Sequence, residues 1–113
     1  MSNLHVFSVA TQWSFLRAVE IVDKTDYAVK LRLHVDTECF IQIYANVQKG
    51  ILSYALVLNR LRIYGRDNEG GIWHRHPHGQ PDSHDLSPEG RIEVTPAQFL
   101  AGAQEVLKNE GLL

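Results

Sequence analysis

From Tyr27 to Val35 the apolar side chains Tyr27, Val29, Leu31, Leu33 and Val35 alternate with Lys30, Arg32 and His34, the period-two pattern of a strand that buries one face. Asp36, Thr37 and Glu38 supply turn residues, and Phe40 to Val47, rich in β-branched and aromatic residues, predicts an antiparallel partner. A three-residue loop aligns Leu33 with Ile41, Leu31 with Ile43 and Val29 with Ala45, which puts both apolar sets on one side as a one-sided core requires. That register also sets Lys30 opposite Tyr44 and Arg32 opposite Gln42, so the other face is basic and aromatic.

Gln48-Lys49-Gly50 ends the second strand with a glycine able to take positive φ, and Leu52 to Leu58, nearly all apolar, predicts a central strand. Asn59-Arg60 makes a tight turn into Leu61 to Tyr64. An earlier strand is expected over Phe15 to Val22, and the helical spacing of Val9, Trp13 and Leu16 allows a helical turn before it. After Tyr64-Gly65 the alternation stops. Glycine, proline, aspartate and histidine dominate through Gly90, which predicts a long loop, either functional or poorly ordered. Thr95-Pro96 then offers an N-cap with proline at the first helical position, and Phe99, Leu100, Ala103, Val106 and Leu107 recur at helical spacing up to Gly111. The expected fold is a single α+β domain over residues 1–113, a two-layer arrangement of about five antiparallel strands in a meander, covered on one face by a C-terminal helix.

Composition narrows the function. With 44% apolar and 21% charged residues the chain is globular, and a net charge of −2 gives no global footprint for nucleic acid or membrane, so a polyanion has to be gripped by a local patch. Met1 to Phe7 carries no basic region followed by an apolar run and a cleavage site, and no stretch approaches the ~18 to 20 apolar residues of a membrane span; the expectation is a soluble cytoplasmic protein. The single cysteine, Cys39, excludes an intramolecular disulfide and a cysteine zinc cluster, and reads as a small buried hydrophobe.

Four of the six histidines, His74, His76, His78 and His84, fall in one short stretch. Imidazole is both the usual acid-base group near neutral pH and the commonest metal ligand. His74, His76 and His78 at i, i+2, i+4 would share one side of an extended backbone and could reach one metal ion, but Pro77 interrupts that strand. The preferred expectation is therefore metal-free and cofactor-free. His74 and His76 serve as acid and base, Asp67 orients one of them, and Lys30, Arg32, Arg66 or Arg75 balances charge. Asp67-Asn68 also reads as an Asx turn, Trp73 as a core residue or a platform for a base, and His84 and His5 as solvated surface residues. No Walker, G-x-G-x-x-G or G-x-S-x-G pattern is present.

Tyr44-Ala45-Asn46, the Lys49-Gly50 turn, Ser53-Tyr54-Ala55-Leu56, Ile63-Tyr64-Gly65-Arg66-Asp67-Asn68 and the histidine-rich tail together resemble the TumE-like family of toxins from bacterial and archaeal toxin-antitoxin pairs, across residues 27–84. The resemblance falls on Asp67, Asn68, His74 and His76, with His84 beside them. The chain departs from it by inserting Glu69-Gly70-Gly71-Ile72-Trp73 before the histidines. It implies a cytoplasmic prokaryotic protein, a cognate antitoxin as partner, and RNA as a target. Joined to the histidine chemistry, the expectation is a metal-independent ribonuclease with Asp67, His74 and His76 catalytic and Lys30, Arg32, Tyr44, Arg66, Asn68, Trp73 and Arg75 on the substrate. The alternatives are a non-catalytic module that binds RNA or protein, and a metal-dependent hydrolase built on the histidines.

Overall fold

A computed structural model describes residues 13–113; Val9 and His5 lie outside them. Six antiparallel strands follow one another in space as in sequence: β1 (Ala18–Lys24), β2 (Ala28–Asp36), β3 (Cys39–Asn46), β4 (Ile51–Leu58), β5 (Leu61–Asp67) and β6 (His74–His76). Among the described residues one helix, α1 (Pro96–Asn109), lies across one face, giving the expected α+β two-layer arrangement. The β2–β3 register is the one the alternation predicts: Leu33 opposes Ile41, Leu31 opposes Ile43, Val29 opposes Ala45, Lys30 opposes Tyr44 and Arg32 opposes Gln42.

The core forms where the alternation points inward. Leu31, Leu33, Val35, Cys39, Ile41, Ile43, Tyr54 and Leu56 meet Phe99, Leu100, Ala103, Val106 and Leu107 of α1. Burial, with the Asp36 carboxylate nearby, pushes the Cys39 thiol up to about 11, which keeps it a packing group. An aromatic column ties the layers together: Tyr54 stacks on Phe99 at 5.0 Å and on Trp73 at 6.3 Å between centroids, and Tyr64 stacks on Phe99 at 5.4 Å. The Tyr54 hydroxyl donates to the Val94 carbonyl at 3.1 Å, so the ring is buried without an unpaired oxygen. The helix starts as its sequence directs. Thr95 accepts from the Gln98 amide, the Gln98 side chain accepts from the Thr95 amide, and Pro96 takes the position where no amide is needed.

Two expectations shift at the ends of the sheet. The first strand begins at Ala18, because Trp13 to Leu16 is occupied by a turn in which the Leu16 amide donates to the Trp13 carbonyl. More consequential is the region after Gly65. β5 runs on to Asp67, and His74–His76 pairs with it as a sixth strand, so the histidines belong to the sheet where a loop was expected. A three-residue strand has too few positions to reveal an alternation, and its register comes from the partner. No helix among the described residues is long and apolar enough to cross a membrane.

The packing and capping make separable predictions for chemical denaturation. Leu56→Ala should cost about 2–5 kcal/mol, the range for deleting a fully buried leucine side chain. Thr95→Ala should cost only about 1 kcal/mol, the usual loss for an N-cap.

Candidate functional site

Residues directly opposite across a sheet share a face, so the pairings trace what lies on the side away from α1. One cross-strand row runs Lys30, Tyr44, Ser53, Asp67, His74. The next runs Arg32, Gln42, Ala55, Gly65, His76. The histidine and basic residues singled out by sequence therefore occupy opposite ends of two adjacent rows, separated by four strand spacings or ~19 Å. Ser53, Ala55 and Gly65 between them are small and leave a shallow floor. On the basic side the Arg32 guanidinium lies 4.5 Å over the Phe40 ring and donates to Gln42 at 3.4 Å.

At the other end the Asp67 carboxylate sits between two imidazoles. His76 Nε2 is 3.1 Å from Oδ2 and His74 Nε2 is 3.0 Å from Oδ1. The opposite ring nitrogens are also engaged: His74 Nδ1 donates to the Ile72 carbonyl at 3.1 Å, and His76 Nδ1 faces the Pro81 carbonyl at 3.1 Å. Asp67 accepts as well from the Glu69 amide at 3.0 Å, so the Asx turn and the histidine-orienting role coexist in one side chain. His76 is 3% exposed, and burial together with the Arg62 charge pulls its proton affinity below the ordinary histidine value. Gly65, opposite His76, makes room for that ring. A Cβ there would stand 3.0 Å from the Tyr54 carbonyl oxygen and 3.4 Å from His76 Cδ2.

His84 completes the cluster. Arg75 and Asp85 form an antiparallel bridge through their backbones, which brings the segment after His76 back beside β6. The Arg75 guanidinium holds the Asp85 carboxylate, with Nε to Oδ2 at 2.8 Å. Because Asp85 opposes Arg75, its neighbour His84 falls on the histidine side. Ring centroids lie 4.8 Å from His74 and 5.0 Å from His76. The Pro81 carbonyl, which also receives Arg62 Nη2 at 3.1 Å, pins the middle of this segment. Arg62, Asp67, Glu69, His74, His76 and His84 line an open recess of about 320 Å³, at the small end of the range for ligand sites.

His78 does not join them. The strand ends before Pro77, and His78 meets Glu110 beyond the end of α1 at 2.6 Å. The remaining sequence candidates divide by face. Arg66 points to the helix side, buried, and donates to the carbonyls of Glu89, Gly90 and Ile92. Asn68 accepts from the Leu52 amide at 2.8 Å and donates to the Gly50 carbonyl at 2.9 Å, extending the β4–β5 pairing. Trp73 packs on Tyr54 and the core. Arg75 is held by Asp85. Of the seven expected substrate contacts, Lys30, Arg32 and Tyr44 are on the same face as the histidines. His84, which the residues alone suggested was a surface side chain and the resemblance placed beside the site, joins the cluster; prolines at 77 and 81 lie in the segment that doubles back.

Comparison with protein-family models, with curated proteins and with solved structures finds no match. What the cluster can do rests on its geometry.

Two outcomes follow from it. Gly65→Ala should cost about 1–3 kcal/mol by overpacking and shift the His76 imidazole resonances, with little effect on His78. The Ser87 hydroxyl and amide, then the Arg75 guanidinium, hold the Asp85 carboxyl down to about 2 from an ordinary 3.8. A lowered value means that the Asp85 contacts stabilise the fold above pH 4 and are lost as pH falls from about 4 to about 2. An acid titration followed by NMR should show His84 moving away from His74 in that window. Asp85→Asn should remove the transition.

Proposed function

We propose that this protein is the toxin of a prokaryotic toxin-antitoxin pair and cleaves RNA at the Asp67, His74, His76 and His84 cluster. The observation that supports it best is the pair of cross-strand rows, which join a reaction centre rich in imidazole to Lys30, Tyr44 and Arg32 over a floor of small side chains. A single strand laid across the β-strands would meet a cation and an aromatic ring at one end, where phosphate and base are bound most cheaply, and the cluster at the other. Arg62 at the recess is positioned to balance charge that develops on a phosphoryl group. The cognate antitoxin, on this reading, covers the same face and so blocks access to both ends.

Two routes to cleavage are chemically open. Free imidazoles can pass protons, as the spacing of His74 and His76 leads one to expect, or the cluster can hold a cation that polarises the phosphate. Both ring nitrogens of His74 and of His76 already face oxygen atoms, so either route draws on the Nε2 atoms that now face Asp67.

Purified protein, freed of any antitoxin, should cleave single-stranded RNA. His76→Ala and His74→Ala should each lower the rate at least ~10²-fold, the scale of a lost catalytic group, while circular dichroism stays unchanged. Lys30→Ala with Arg32→Ala should raise KM and flatten the salt dependence, since fewer phosphate contacts release fewer counterions. A folded His74→Ala, His76→Ala double variant that cleaves RNA or arrests growth like the parent would overturn this reading in favour of a non-catalytic binding module.

A further inference from the structure

We propose that His74, His76, His84 and Asp67 form a binding site for one divalent transition-metal ion of the zinc class, and that this ion activates the RNA cleavage described above. The second half rests on the proposed function; the first stands without it. Its basis is a count of donors and acceptors. A neutral imidazole has one N–H, and in His74 and His76 the Nδ1 atoms have backbone carbonyls to receive it, at 3.1 Å each. That leaves both Nε2 lone pairs aimed at the two oxygens of one carboxylate, which are also acceptors. Lone pairs facing lone pairs repel, so either each Nε2 carries a proton or the three groups share a cation; one ion serves both rings, where protonation would place two imidazolium charges beside one buried carboxylate.

The surrounding contacts are those of a ligand set. Metal-bound histidines commonly donate their second ring nitrogen to a carbonyl, which fixes the tautomer and aims the other nitrogen at the ion. Both histidines have such a carbonyl partner, on Ile72 and on Pro81, and the Pro81 carbonyl is also held by Arg62. The distances agree as well. With metal–ligand bonds of ~2.0–2.1 Å, neighbouring ligand atoms of a tetrahedron stand ~3.4 Å apart. The observed separations of 3.0 Å and 3.1 Å between Asp67 oxygens and the two Nε2 atoms are close to that edge. The three imidazoles offer nitrogens that all lie within 4.8 Å of one another, near enough for one ion to draw them together. Nitrogen-rich donors with one carboxylate select zinc, manganese, iron or nickel over magnesium or calcium. Glu69 on the rim offsets Arg62, and the recess leaves the ion open to a phosphoryl oxygen on the side away from the sheet. Such an ion would supply a Lewis acid there.

The test uses untagged full-length protein stripped with chelator and desalted, with zinc, cobalt and manganese chlorides as probes. Cobalt should bind at one ion per chain with visible d–d absorption, displaced by zinc with an affinity of micromolar or tighter. His76→Ala, His84→Ala and Asp67→Asn should each weaken zinc binding at least ~10-fold, the loss seen when metal-site groups are removed. His78→Ala, which lies outside the cluster, should leave binding unchanged and so controls for scavenging by surface imidazole. The stripped protein should not cleave RNA, and one equivalent of ion should restore cleavage. Absence of a stoichiometric site, or affinity indifferent to His84→Ala, overturns the metal site; cleavage by the stripped protein would then leave the ribonuclease reading standing on free imidazoles. A stoichiometric ion in a protein that cleaves no RNA in either state overturns the catalytic half and the ribonuclease reading, and leaves the site itself established.

Discussion

A buried carboxylate on the uncovered side of a sheet is the constraint around which the C-terminal half of this molecule is arranged. Asp67 is 7% exposed, yet it lies on the face opposite the helix, where no hydrophobic layer requires burial. Taking a carboxylate out of water costs several kcal/mol unless donors or a cation compensate. The Glu69 amide gives one hydrogen bond, and His76 and His74 close the remaining sides. For that to happen β6 must pair with β5 in the one register that sets His74 opposite Asp67 and His76 opposite Gly65. A slip by one residue would turn both imidazoles toward the helix. The glycine and the short strand are thus consequences of the same requirement.

The other half of the structure solves a different problem with the same device. Period-two alternation sends Leu31, Leu33, Ile41, Ile43, Tyr54 and Leu56 to the helix and leaves Lys30, Arg32, Gln42 and Tyr44 on the open face. The apolar side is closed by α1 and supplies the stability; the polar side is free to carry chemistry. Because the strands are in simple meander order, cross-strand rows are continuous from β2 to β6, and a side chain in the second strand lies in line with one in the sixth. Rigid pairing of that kind holds separated groups at a fixed spacing better than loops do.

Legibility in the sequence follows the same division. The β2–β3 pairing could be written residue by residue, because alternation sets which face each strand buries and the short Asp36–Glu38 loop picks one register among those that bury both sets. The start of α1 at Thr95-Pro96 was readable because an N-cap and a first-turn proline act locally, whereas the part of Gln98 in the capping box came from the structure. What lay beyond Gly65 was not, since its order comes from contacts distant in sequence. His74-Arg75-His76 is a strand only because β5 offers an edge, and Pro77 ends it before His78 can follow. Arg66, Asn68 and Arg75 look from sequence like groups for a substrate, whereas the fold engages them with backbone carbonyls and amides or with Asp85. Charged residues near a histidine cluster are ambiguous until the face each occupies is known.

Arg75 shows how close the two roles can lie. It sits between two histidines, on the opposite face of the same three-residue strand, and its bridge to Asp85 decides where the returning chain runs. Asp85 in turn forces a glycine at position 90, because a Cβ there would collide with the Asp85 carbonyl oxygen. From that contact the chain passes Arg66, whose guanidinium collects the Glu89, Gly90 and Ile92 carbonyls, and enters α1. One continuous set of polar contacts on the helix side therefore fixes the loop that delivers His84 to the open side. The ring that reaches the recess is exposed and carries none of this framework, whereas Asp67, His74 and His76 are anchored in the sheet, so the cluster joins three groups set by strand register to one set by the loop's polar contacts.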